Sequence, residues 1–228
     1  MQKNAIFNWS GGKDSSFALW KVLQDNKLDI SYLLTSMSSE HKRISMHGVS
    51  ENLLDQQAES IGIPLRKIYL PESTSMEAYN QIMAEEMNFA KSQKIDKAVF
   101  GDIFLEDLRR YRENQLSAID MKAHFPIWKY DTLQLVKDFI DSGFKAVIVS
   151  ANARLLDKSF CGRMIDHDFI NSLPENVDPC GENGEFHSFV IDGPIFSNPI
   201  DINIGATILK KYDTDEGIDN EFWYTELR

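Results

Sequence analysis

Short apolar runs alternate with stretches of helical spacing through the first half of the chain, the pattern of βαβ units and so of a parallel sheet. Ala5 to Trp9 reads as a first strand. A helix is predicted from about Asp14, with Phe17, Trp20 and Leu23 along one face at three-residue steps. Ile30 to Met37 reads as a second strand, Ser50 to Ile61 as a helix stopped by Gly62 with Pro64 close behind, and Leu65 to Leu70 as a third strand. A long helix over Ser75 to Gln93, a strand over Lys97 to Gly101 and a helix from about Leu105 to Met121 continue the alternation.

Asp131 and Gln134 form a capping-box-like start to a helix that carries Leu135, Val136, Phe139 and Ile140 up to Gly143, and Phe144 to Ala151 reads as a buried strand. Beyond it Pro174, Pro179, Pro194 and Pro199, with Gly162, Gly181, Gly184 and Gly193, break the pattern into loops with short strands. The change of pattern places a boundary near residue 123. The 228 residues then divide into an α/β domain over 1–123 and a smaller domain over 124–228.

A hydrophobic content of 43% with 26% charged residues fits a globular chain and speaks against disorder. No run reads as a membrane span. The N-terminus has no signal-peptide core, and the two cysteines, Cys161 and Cys180, are too few for a disulfide framework. A cytoplasmic location is therefore expected. Lys and Arg number 24 against 35 Asp and Glu, a net charge of −11, which disfavours a broad nucleic-acid footprint. The stretch Asp213 to Asp219 is acidic and is expected to be exposed.

The chemistry begins at Ser10-Gly11-Gly12-Lys13-Asp14-Ser15, between a strand and a helix. Glycines let backbone amides approach phosphate oxygens, the helix start offers unpaired N–H groups, and Lys13 adds a full charge. Ser10 and Ser15 can add hydrogen bonds. The spacing is not that of a Walker A loop, because two adjacent glycines directly precede the lysine. It resembles instead the PP-loop of N-type ATP pyrophosphatases, whose members cut ATP between its α and β phosphates while adenylating a substrate.

Three further blocks resemble the diphthine-ammonia ligase family, of adenine nucleotide α-hydrolase type: Ser45 to Val49; Gly101 to Asp107 with Arg109 to Glu113; and Cys180 to His187, continuing into Asp192 to Phe196. They span nearly the whole chain. The resemblance implies a HUP-type, Rossmann-like parallel sheet with helices on both faces, binding ATP over residues 1–123, and a smaller α+β C-terminal domain that binds the substrate. The blocks look most like the short form found widely in bacteria, whose owners would lack diphthine on elongation factor two.

What the resemblance implies for chemistry is an ATP-dependent ligase. A substrate carboxylate is adenylated with release of pyrophosphate, and ammonia, free or from a separate donor, displaces AMP. Lys13 would steady the leaving pyrophosphate, Asp14 would hold Mg²⁺ directly or through water or else only cap the helix, and Asp102 would hold Mg²⁺ or substrate. Ser36 and Met37 at the end of the second strand and His47 beyond it stand where such proteins hold adenine, partly by backbone contacts, and join Ser10 to Ser15 as ATP-binding positions. Arg109, Arg112 and Glu113, with Glu182, Asn183 and Glu185, are the substrate-binding candidates. Lys13, Asp102, Glu185 and His187 are the catalytic ones.

Asp102 also follows a predicted parallel strand directly, where open α/β sheets place ligands. The 181–187 segment gathers two carboxylates, an amide and a histidine into a glycine-bordered turn suited to holding a substrate and moving a proton. Other readings stay open: a PP-loop RNA-modifying enzyme, a HUP-fold sensor that holds ATP without turnover, and a zinc set of Cys161, His167, Cys180 and His187. The last lacks the close cysteine pair of structural zinc sites. A homo-oligomer is compatible with all of them.

Overall fold

Ala5, Ile6 and Phe7 are all fully buried, as a strand covered on both faces requires. The computed structural model describes residues 3–44, 48–71, 73–212 and 220–228. In its first half β1 (Lys3–Asn8), α1 (Lys13–Asp25), β2 (Leu28–Ser38), α2 (Glu51–Ile61), β3 (Leu65–Leu70), α3 (Met76–Ser92), β4 (Lys97–Val99), α4 (Glu106–Ser117) and β5 (Lys122–His124) follow one another. The five strands form one parallel sheet in the order β3-β2-β1-β4-β5.

Helices cover both faces. Ala5 and Phe7 share a core with Phe17 and Leu19 of α1 and Leu53 and Leu54 of α2, while Ile6 shares another with Met87 and Ala90 of α3 and Leu116 of α4. The period-two alternation along β1 thus assigns neighbouring residues to opposite cores. In α1 the buried face is Phe17, Ala18, Leu19 and Val22, whereas Leu23 is 42% exposed. A strict three-residue step falls short of a 3.6-residue turn, so the stripe from Phe17 drifts off the core by Leu23.

The second half holds α5 (Thr132–Asp141), β6 (Lys145–Asn152), α6 (His167–Ser172), β7 (Phe186–Asp192), β8 (Ile204–Tyr212) and β9 (Asn220–Leu227). Its strands form an antiparallel sheet in the order β7-β6-β9-β8. Asp131 caps α5 by accepting from the Gln134 N–H at 2.9 Å, but the Gln134 side chain reaches on to Asp138, so the box is half formed. Val147, Val149 and Phe189 of this sheet belong to the same core as α1 and α2.

Three strands depart from the sequence pattern. β5 is too short to show a period, and residue 123 lies inside it; β8 and β9 are longer than the short strands expected there. The acidic stretch at 213–219 lies outside the described residues. Among the described residues no helix is long and apolar enough to cross a membrane.

Candidate active site

The strand order reverses between β1 and β4, and ligands of open parallel sheets settle at the carboxyl ends of strands at such a point. A cleft of about 510 Å³ opens there. Its floor is the loop from β1 to α1. Helix α1 begins at Lys13 with Gly12 as its N-cap; Ser188 Oγ takes the Lys13 N–H, and the positive dipole end of the helix is left facing the cleft for an anion. Ser10, Gly12, Lys13, Asp14 and Ser15 line the cleft; Gly11, at φ +74°, makes the turn behind them. The close fit of loop to sheet depends on Gly101, where a Cβ would stand 3.1 Å from the backbone of Asp14 and Ser15.

Lys13 is 2% exposed, and its ammonium meets both Asp14 oxygens at 2.7 Å. Burial opposes the charge on Lys13, but the Asp14 carboxylate, joined by Cys180 and Glu182, raises it, and the net shift of the Lys13 pKa is upward. Asp102, at the end of β4, faces Arg112 of α4, with Nε to Oδ2 at 2.7 Å and Nη2 to Oδ1 at 3.1 Å. Burial raises the Asp102 carboxyl while Arg112 pulls it down. The Arg112 guanidinium also lies over the Phe100 ring at 4.3 Å.

The remaining wall comes from the second sheet. Glu182 lines the cleft, and its Oε1 accepts from the Ile103 N–H at 2.8 Å. Burial first, then the nearby Asp14 carboxylate, pushes its carboxyl up to about 7. His187 lines the cleft too; burial, then the Lys13 charge, lowers it to about 4, so it is neutral at neutral pH. Ser188 Oγ accepts from the Lys13 N–H at 3.1 Å, and the Val190 N–H donates to the Gly11 carbonyl at 2.9 Å, so β7 is stitched directly to the loop.

The cleft therefore gathers Ser10, Gly12, Lys13, Asp14, Ser15, Ser36, Asp102, Arg112, Glu182 and His187. Other candidates stand elsewhere. Met37 is fully buried in the core, because alternation along β2 turns it away from the face that Ser36 shows. His47 lies outside the described residues. Arg109 pairs with Glu113 at 2.8 Å and stacks over Trp128 at 4.7 Å, and neither Arg109 nor Glu113 lines the cleft.

Glu185 is 3% exposed and does not line the cleft: its carboxylate accepts from the Asp178 and Asn183 backbone N–H groups and from Asn183 Nδ2, at 2.9–3.0 Å. It organises the turn that presents Glu182. Asp178 completes the brace, its Oδ2 accepting from the Cys180 and Glu182 N–H groups. Sequence reasoning passed over Asp178, Ser188 and Gln57: Asp178 binds N–H groups two and four residues on, a local turn signal that Asp178-Pro179 before Gly181 could have given, whereas the partners of Ser188 and Gln57 are set by the tertiary fold.

The zinc set is dispersed. Cys161 Sγ lies against the Trp223 carbonyl, Cys180 Sγ against that of Thr132, and His167 pairs with Asp141. Among the described residues no group of three or more His, Cys, Asp or Glu side chains is placed to hold a metal. Two carboxylates, Asp14 and Asp102, are nevertheless what Mg²⁺ takes from a protein when phosphates and water complete its shell.

The family model described as Diphthamide synthase N-terminal domain matches residues 2–122, and that described as Diphthamide synthase C-terminal domain matches residues 131–222. The chain is similar to the diphthine–ammonia ligase of Danio rerio, 25% identical over 225 residues that cover 90% of this chain and 88% of the relative. The Homo sapiens diphthine–ammonia ligase is 22% identical over 227 residues, covering 90% and 84%. That of Saccharomyces cerevisiae is 27% identical over 225 residues, covering 83% of this chain and 33% of the relative.

Proposed function

We propose, since the chain belongs to the diphthamide synthase family, that it is an ATP-dependent ligase of diphthine–ammonia ligase type, forming an amide from a carboxylate and ammonia. The observation that supports this most is the meeting of the lysine loop and the Glu182 turn in one cleft at the sheet's switch point. The N-terminal sheet takes ATP, and the segment from residue 124 onward supplies the acceptor side.

In this reading a carboxylate oxygen of the acceptor attacks the α-phosphorus, the bond to the bridging oxygen breaks, and pyrophosphate leaves. Lys13 and the positive dipole end of α1 steady the charge that gathers on it. Ser10 and Ser15 bind phosphate oxygens, and adenine rests by Ser36, the Met37 backbone and His47. Asp14 and Asp102 would hold Mg²⁺, which would supply further charge neutralisation for the phosphates.

Ammonia then attacks the acyl carbon, the bond to the AMP oxygen breaks, and the nitrogen's surplus proton passes to a cleft group, Glu182 or His187. Arg112 and Glu182 face the acceptor. Arg109, Glu113, Asn183 and Glu185 support the wall from behind. The names of the relatives point to diphthine as the acceptor; where diphthine is absent, another carboxylate takes its place in this reading. The protein works in the cytoplasm in this reading.

The test is to incubate the purified protein with ATP, Mg²⁺ and ammonium, with diphthine-bearing elongation factor two or a panel of small carboxylates, and to follow AMP and pyrophosphate. Acceptor-dependent AMP release is expected, falling about 100-fold or more in Lys13→Ala. ADP as the product would sink the proposal. Turnover stimulated by tRNA would favour RNA modification, and ATP binding without product a sensor.

A further inference from the structure

Gln57 sits in the middle of α2 and is fully buried, where a polar side chain needs partners at both ends of its amide. It has them. Trp9 Nε1 donates to its Oε1 at 3.1 Å, and its Nε2 donates to the carbonyl oxygens of Gly11 at 3.0 Å and Val190 at 2.6 Å. An indole N–H only donates and a carbonyl only accepts, so a single orientation of the amide satisfies all three partners. A carboxylate of the same shape would not.

The Gly11 carbonyl takes a second bond, from the Val190 N–H. Its oxygen is thereby pinned in the seam between α2 and β7. In a trans peptide the next N–H points the opposite way, and no cis peptide occurs among the described residues. Pinning the Gly11 carbonyl therefore turns the Gly12 N–H away from the seam, and Gly12 is a residue that lines the cleft. That N–H makes a long contact, 3.3 Å, with Ser10 Oγ, one that an anionic oxygen can readily replace. The fit leaves no slack: a Cβ on Gly11 would stand 2.6 Å from Gln57 Oε1.

Resting on the reading of this loop as a phosphate site, we propose that Gln57 is a positioning residue for phosphate capture, aiming the Gly12 N–H at a phosphate oxygen of the nucleotide. By the same bonds it locks the loop to β7, the strand that carries His187 and Ser188. Nucleotide and acceptor walls thus share one buried amide.

The test separates phosphate capture from packing by comparing Mg-ATP with adenosine, which has no phosphate. Gln57→Glu keeps the shape but sets a carboxylate oxygen against carbonyls; Gln57→Met keeps the approximate volume without the bonds. Calorimetry well below each variant's unfolding temperature should find adenosine affinity within about twofold of wild type and ATP affinity about tenfold to a hundredfold lower, the range for hydrogen bonds to charged groups. Equal losses for both ligands, or no loss, would overturn the proposal and leave Gln57 a packing residue.

Trp9→Phe removes the N–H that orients the amide together with part of a buried ring, and the adenosine arm reads out the packing share of that change. It should show the same selective loss in smaller measure, and it decides the matter if the Gln57 variants do not fold. A wild-type protein that binds ATP no more tightly than adenosine overturns the phosphate-site reading itself, whatever the variants do.

Discussion

The Glu182 carboxylate accepts a hydrogen bond from the Ile103 N–H at 2.8 Å, joining the turn before β7 to the segment just after β4. The bond closes the cleft across two sheets. Glu182→Gln retains an oxygen that can accept it, whereas Glu182→Ala does not and leaves the Ile103 N–H to water. Denaturant unfolding should show Glu182→Ala less stable than Glu182→Gln by about 1–2 kcal/mol. Equal stabilities would mean the bond contributes nothing.

Glu182 and His187 should tilt stability against pH in opposite senses. Glu182 rises from an ordinary 4.5 to about 7, so folding favours its protonated form; that contribution is full below about 4.5 and is lost as pH rises through 7. His187 falls from 6.5 to about 4, so folding favours its neutral form; its contribution is full above about 6.5 and is lost as pH falls through 4. Urea titrations between about pH 4 and 8 should show Glu182→Gln flattening the alkaline loss and His187→Gln the acid loss. A variant whose profile parallels the wild type would remove that residue from the account.

The lysine loop was legible because Ser10 to Ser15 is contiguous and stands between a strand and a helix that announce themselves by period. The 181–187 block was legible as a polar turn, but not in which carboxylate faces the cleft. Glu182 and Glu185 are three residues apart, and only the left-handed turns at Gly181 and Gly184 send one into the cleft and the other under the loop. Ser36 and Met37 could have been separated by the alternation of a strand with two covered faces. Gln57 could not, since its partners lie 46, 48 and 133 residues away in sequence.

Glu185 is expected to behave as a brace. Its carboxylate meets three N–H groups, so Glu185→Gln must turn an amide NH₂ toward donors or surrender a bond. The loss should be about 2 kcal/mol in unfolding free energy, greater than that of Glu182→Gln, because the site is buried and cannot relax into water. Chemical denaturation of the two variants side by side decides it. Unchanged stability in Glu185→Gln would mean that these bonds do not brace the turn.

Two arginines one turn apart on α4 should separate cleanly. Arg112 pairs with Asp102, whose side chain is 13% exposed, so Arg112→Ala strands a mostly buried carboxylate. The cost in stability should approach, and not reach, the ~3–5 kcal/mol of a fully buried pair, and turnover should fall by about tenfold or more because the vacated guanidinium faces the cleft. Arg109 stacks over Phe125 at 5.2 Å and Trp128 at 4.7 Å outside that wall. Arg109→Ala should cost about 1 kcal/mol from the lost ring contacts while leaving the ATP KM within about twofold. AMP release and thermal unfolding measured on both variants give the comparison. A turnover loss in Arg109→Ala as large as that in Arg112→Ala would place both guanidinium groups on the reacting side of the helix.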